Sequence, residues 1–151
     1  MSGHQARDPR FADRVHEEFE GQPYMMAIGA RLGPVAPGEV DIVLDRRDDL
    51  LQQHGYFHGG VTGSLADSAA GFACMSLFDV DSGPLTTEYK VNLLAPAKGD
   101  MLVARGRVIK SGRTLSVARA DVYGVTGGAE THVATGLFTI IQLKGLKPAS
   151  A

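Results

Sequence analysis

The sequence holds a single cysteine, Cys74, and no tryptophan. One thiol excludes an intrachain disulfide and supplies no cysteine spacing for a metal. No apolar run approaches the ~18 residues that a membrane-spanning helix needs. Met1 to Arg14 is polar and charged, without the apolar stretch of a secretion signal. Charge of one sign is also missing: 15 basic and 17 acidic residues leave a net charge of −2, scattered along the chain. That balance gives no general attraction to nucleic acid or to an anionic membrane. These absences predict a cytoplasmic protein with no metal, no nucleic-acid partner and no membrane partner.

What is present fits one domain. The 151 residues are 44% apolar and 21% charged, enough for a real core. Residues 1–8 and 144–151 read as loose ends of a single domain. Pro9 is placed to open a helix with Asp8 as its N-cap, and Phe11, Val15 and Phe19 follow near helical spacing until Gly21. Tyr24 to Ile28 reads as a short helical turn. Two strands follow, Ala30 to Val35 and Glu39 to Asp45, joined at Pro37-Gly38. In the second strand Val40, Ile42 and Leu44 alternate with Asp41, Val43 and Asp45, giving one apolar face.

Gly59 to about Phe78 reads as one long helix dense in small residues and apolar on nearly all sides, hence internal. Four more strands are predicted: Leu85–Leu94, Met101–Lys110, Thr114–Tyr123 and Thr131–Gln142. The short turns between them imply antiparallel neighbours. A long apolar helix beside an antiparallel sheet is an α+β layout in which the sheet curves around the helix. One chain covers only part of such a helix, so a second copy is expected to finish the burial.

Two features between Gln52 and Asp67 carry chemistry. His58-Gly59-Gly60 opens the long helix, where free N–H groups and the helix dipole favour negative charge. A thioester carbonyl gains negative charge when attacked, so these amides are a candidate oxyanion site. The second feature is Asp67, the lone charged side chain between Gly59 and Phe78. A carboxylate in an apolar helix is costly unless paired, and desolvation makes it a stronger base. Eight residues of helix separate Gly59 from Asp67, ~12 Å along the axis. A base and an oxyanion donor that act on one carbonyl must lie much closer. The spacing therefore points Asp67 at the helix start of an antiparallel copy across a two-fold axis.

His58-Gly59-Gly60 with Leu65-Ala66-Asp67, then Tyr89 to Ala97 and Gly112-Arg113-Thr114-Leu115, resembles the hotdog-fold acyl-CoA thioesterases. The likeness is to the phenylacetate-pathway branch of the 4-hydroxybenzoyl-CoA thioesterase superfamily, over roughly Ala30 to Gln142. The resemblance implies hydrolysis of an acyl-CoA with no cofactor beyond the coenzyme A of the substrate. It implies Asp67 as general base or nucleophile, and the Gly59 amide of a partner subunit on the carbonyl. It further implies that Gln52 orients substrate or water, and that Thr86, or Thr87 one residue on, steadies the water. His58 and Gly60 shape the substrate site. Gly112-Arg113, with Lys90 and Lys110 as weaker candidates, would hold the CoA. Family members pair by a continuous sheet into homodimers, often doubling to tetramers. Two other readings of the same fold stay open: a hydroxyacyl-thioester dehydratase, and an acyl-CoA binder without turnover.

Overall fold

The computed structural model describes residues 3–149. It contains helices α1 (Phe11–Glu20), α2 (Pro23–Ile28) and α3 (Gly59–Met75). Its strands are β1 (Arg31–Ala36), β2 (Glu39–Asp45), β3 (Ser82–Leu93), β4 (Met101–Ser111), β5 (Leu115–Thr126) and β6 (Ala129–Lys144). The strands form one antiparallel sheet in the order β1-β2-β4-β5-β6-β3. The sheet curves around α3, as the α+β reading predicts. The end residues 1, 2, 150 and 151, part of the stretches expected to be loose, lie outside the described residues.

The core lies between α3 and the concave face of the sheet. Leu65, Ala66, Ala69, Ala70 and Ala73 of α3 are buried, as are Ile42, Leu102, Ala104, Ala120, Phe138 and Ile140 of the strands. The small residues of α3 allow the helix to sit close to the sheet. The approach is tight at Gly106 of β4, where a Cβ would lie 2.1 Å from the Ala69 carbonyl oxygen.

Several boundaries differ from the sequence reading, each for a physical reason. α1 begins at Phe11, and the Asp8 carboxylate instead accepts the Arg10 N–H at 2.8 Å. The turn expected over Val125 to Glu130 shrinks to Gly127-Gly128. Both glycines have positive φ, 56° and 83°, which suits the tight hairpin that lets β5 and β6 run on. The chain ends are also more engaged than expected. His4 Nε2 lies 3.1 Å from the Val108 carbonyl, and Lys144 pairs with Ser82 inside the sheet.

One tie holds α1 to the end of α3. The Arg14 guanidinium donates to the carbonyls of Met75, Phe78, Asp79 and Val80 at 2.8–3.2 Å. A cation there satisfies carbonyls that a helix leaves without partners and complements its dipole. The buried Asp8 carboxylate in turn lies 3.4 Å from Arg14.

Candidate active site

The start of α3 is shaped by competition for its amide protons. His58 has extended backbone (φ −61°, ψ 138°) and serves as N-cap. Its carbonyl accepts from Val61 and Thr62, and its Nδ1 accepts from Gly60 N–H at 2.8 Å. The Gly59 N–H is left without a partner among the described residues. Gly60 is thus committed to the cap, and of the two glycines it is Gly59 that has a proton to offer. Gly59 lines a cavity of about 400 Å³ with Gln52, Tyr56, Thr62, Leu93 and Ala97. The Gln52 side-chain Oε1 accepts from the His54 N–H within its own loop. Its Nε2 has no partner among the described residues, so the donor end of this amide remains for a ligand.

Asp67 lies elsewhere on the chain. It lines a second cavity, about 360 Å³, with Gln22, Ser68, Gly71, Phe72, Pro84, Leu85 and Thr86. Thr86 Oγ1 donates to Asp67 Oδ1 at 2.8 Å. Burial raises the Asp67 pKa above the usual carboxylate value, and the Thr86 hydrogen bond partly offsets that rise. The choice between Thr86 and Thr87 is decided by an irregularity in β3. Register shifts between Thr86 and Glu88, and the extra residue, Thr87, turns its hydroxyl to the Thr139 carbonyl at 3.1 Å. Thr86 alone faces the acid.

Asp67, half-buried, has no cation beside it among the described residues. The three buried aspartates do: Asp8 lies beside Arg14, Asp41 beside Arg107 at 2.6 Å, and Asp121 beside Arg119 at 2.9 Å and His132 at 3.1 Å. Structural carboxylates in this chain are neutralised in place, whereas Asp67 is held by a hydroxyl and faces a cavity.

The two cavities share no lining residue. Within one chain the structure therefore brings together Asp67 with Thr86, and Gly59 with Gln52, but not the two pairs. The Gly112-Arg113 turn belongs to the Asp67 end. Ser116, just past it, pairs with Ile140, which pairs on its other side with Thr86. Gly112 closes the turn by donating to the Leu115 carbonyl at 3.0 Å. Lys90 is on the convex face, away from α3, in a cavity of about 440 Å³ with Ile109, Arg119 and Leu137. Lys110 is an exposed residue of β4. The sequence reading missed Gln22, Phe72 and Pro84 as neighbours of Asp67. They come from the α1–α2 link, the far end of α3 and the start of β3, and no local pattern marks them.

An antiparallel sheet wrapped on a central helix, with a donor-bearing helix start and an unneutralised acid inside that helix, is the layout of a hotdog-fold thioesterase. Residues 54–130 match the family model described as the thioesterase superfamily, and the chain belongs to that family. A thioesterase family protein of Silicibacter pomeroyi is 40% identical; it aligns over 89% of this chain and 99% of its own with a TM-score of 0.88. Acyl-coenzyme A thioesterase 13 of Mus musculus is 32% identical over 49% of this chain and 53% of its own length. The E. coli PaaI protein of the phenylacetic acid degradation operon shares the fold, with TM-score 0.80 and 23% identity, over 90% of this chain and 95% of its own. The protein is a thioesterase.

Proposed function

We propose that this thioesterase hydrolyses acyl-CoA at two equivalent sites, each assembled from Asp67 and Thr86 of one subunit and Gly59 and Gln52 of the other. The observation that carries the reading is the division of one chain into two half-sites. One half offers an unpaired amide donor, and the other offers an acid without a cation. Neither half can complete an ester-type hydrolysis alone. The exposed flank of α3 supports a second copy. Gly63, Ser64, Asp67 and Ser68 form its partly uncovered stripe, and a Cβ on Gly63 or Gly71 would meet nothing within 4 Å. Packing inside one chain gives those glycines no reason to be small. An approaching partner does.

The chemistry follows from the contacts. Thr86 holds Oδ1 of Asp67, leaving Oδ2 to accept a proton from water or to attack the thioester carbonyl itself. The Gly59 N–H of the partner subunit, at the positive end of α3, stabilises the oxyanion. The tetrahedral species collapses with expulsion of the CoA thiolate, which takes up the proton that water gave to Asp67; on the attacking route the acyl–Asp67 anhydride is then hydrolysed by water, which frees the acid, restores the carboxylate and supplies that proton. The Gln52 Nε2 donor steadies substrate, and Arg113, on the exposed turn at the Asp67 end, is the candidate for a CoA phosphate.

Mixing two inactive variants tests the division. Gly59→Pro removes the N–H and adds a ring whose Cβ meets the flexible end of Leu93 at 3.1 Å; proline is tolerated at the first helical position, and the extended His58 backbone accepts a following proline. Asp67→Asn removes the base. Each variant alone should release almost no thiol from acyl-CoAs. Unfolded and refolded together, they should regain about a quarter of normal turnover, since half the dimers then carry one intact site of two. A mixture as inactive as its components would sink the shared site. Release of free thiol, in preference to double-bond formation or binding without turnover, separates this reading from the dehydratase and the binder.

A further inference from the structure

β3 is an outer strand, and its free edge can be assigned residue by residue. The Leu94 N–H bonds to the Val133 carbonyl of β6 at 2.8 Å. From Leu93–Ala134 back to Glu88–Thr139 the pairing continues without a shift. Backbone groups alternate sides along an antiparallel strand. The N–H and C=O groups of Glu88, Lys90 and Asn92 therefore point to β6, and those of Tyr89, Val91 and Leu93 point to the open edge. Side chains alternate as well. Tyr89 stacks on Phe138 on the helix side, so Glu88 and Lys90 stand on the convex side. Tyr89 and Leu93 are 56% and 61% exposed. An unpaired edge with large apolar side chains is a template for another strand.

A second copy adding across a two-fold axis must place one residue of β3 opposite itself, and facing residues must point to the same side. An axis at Glu88 opposes two carboxylates. An axis at Lys90 opposes two ammonium groups. An axis at Val91 sets Lys90 against Asn92 and Glu88 against Leu94, and it shortens the ladder. An axis at Tyr89 sets Glu88 against Lys90 of the partner subunit, twice, with no like charges opposed. Neither side chain has an ion-pair partner among the described residues. Opposite charges across a pair favour a register, and like charges oppose one.

From this we infer that two copies join edge to edge along β3 with Tyr89 on the two-fold axis, locked in register by reciprocal Glu88–Lys90 ion pairs on the convex face. The inference rests on the shared-site reading, and it explains how the half-sites meet. The bulge at Thr87 takes up one position of the ladder, so the pairing sets Leu93 across from Pro84 and Val91 across from Thr86, all on the helix side. Leu93 packs where a Cβ of Gly59 would lie, 3.1 Å from its Cδ1, and Pro84 and Thr86 line the Asp67 cavity. The register thus carries the Gly59 amide of one chain to the acid of the other.

Cysteine cross-linking reads the register directly. Glu88 and Lys90 of the partner subunit form a pair that is not hydrogen-bonded to each other, with Cα atoms about 4.5 Å apart, within disulfide reach. The native Cys74 is buried, its thiol pushed up to about 12, and stays out of the reaction. Glu88→Cys and Lys90→Cys chains, mixed and oxidised, should give a disulfide-linked dimer. Neither variant alone should do so, nor should Lys90→Cys with Asn92→Cys. Self-linking of Lys90→Cys, or linking with Asn92→Cys, overturns the register. In solution, Glu88→Lys or Lys90→Glu should weaken dimerisation about tenfold, and the double exchange should restore it. A double exchange as weak as the single ones also overturns it. If mixed Gly59→Pro and Asp67→Asn dimers recover turnover while the cross-link follows another register, only the register fails. If no pair links and the chain sediments as a monomer, the shared site fails with it.

Discussion

Acids are sheltered on both sides of the sheet, and the two sides handle them differently. On the convex face Asp41 and Asp121 sit among arginines, and Asp121 also accepts from His132 and from Thr135 at 2.7 Å. On the α3 side Asp67 has one hydroxyl and a cavity. The convex network neutralises its charges and ties strands together. The inner acid is kept unneutralised, which favours the proton-accepting or attacking role and costs stability. On the proposed function, the sheltered carboxylates thus divide into those that hold the fold and one that works, and the presence of a cation marks the division.

Exchanging the acids would break that comparison. The largest effect expected is on turnover. Asp67→Asn should lower kcat by about 10²–10⁴-fold, measured as thiol release, with the fold intact. Its stability should move the other way. The folded-state pKa of Asp67 is raised, so burial favours the neutral acid. The penalty is absent below the ordinary carboxylate range and complete once pH rises past the raised value. Asp67→Asn should therefore melt higher than the native chain at neutral pH. That difference should vanish in acid, below about pH 4. A variant that melts lower at neutral pH would show that the charge is structural.

On the convex face the opposite outcome is expected. Asp121→Ala should cost about 1–2 kcal/mol of stability by stranding Arg119 and the groups of His132 and Thr135 that bond to it, read as a lower Tm, with kcat unchanged. A loss of turnover at unchanged Tm would erase the distinction between the two faces. The smallest effect sharpens the inner side. Thr86→Val removes the one hydrogen bond that lowers the Asp67 pKa. The acid limb of the pH–rate profile should then move to higher pH. A limb that stays in place would remove Thr86 from the site's electrostatics.

Much of this was legible before any coordinates. Helical density in small residues placed α3, alternation placed β2 to its ends, and spacing alone set Gly59 too far from Asp67 for one chain to use both. The less legible parts depend on choices among neighbours. Whether Thr86 or Thr87 meets the acid turns on one inserted residue in β3, because a shift of one flips every side chain to the other face. Gln22, Phe72 and Pro84 gather around Asp67 from three elements, so no window of sequence contains them together.

By itself the sequence determined the order of elements, the lone acid in an apolar helix and the glycines at its start, because periodicity and composition are local properties. Only the tertiary structure decided that His58 takes the Gly60 proton and leaves that of Gly59, that Asp67 has a hydroxyl for a partner and no cation, and that Lys90 stands on the far face. Each of those depends on which groups compete for the same hydrogen bond or the same side of a strand. That competition is settled by segments far apart along the chain.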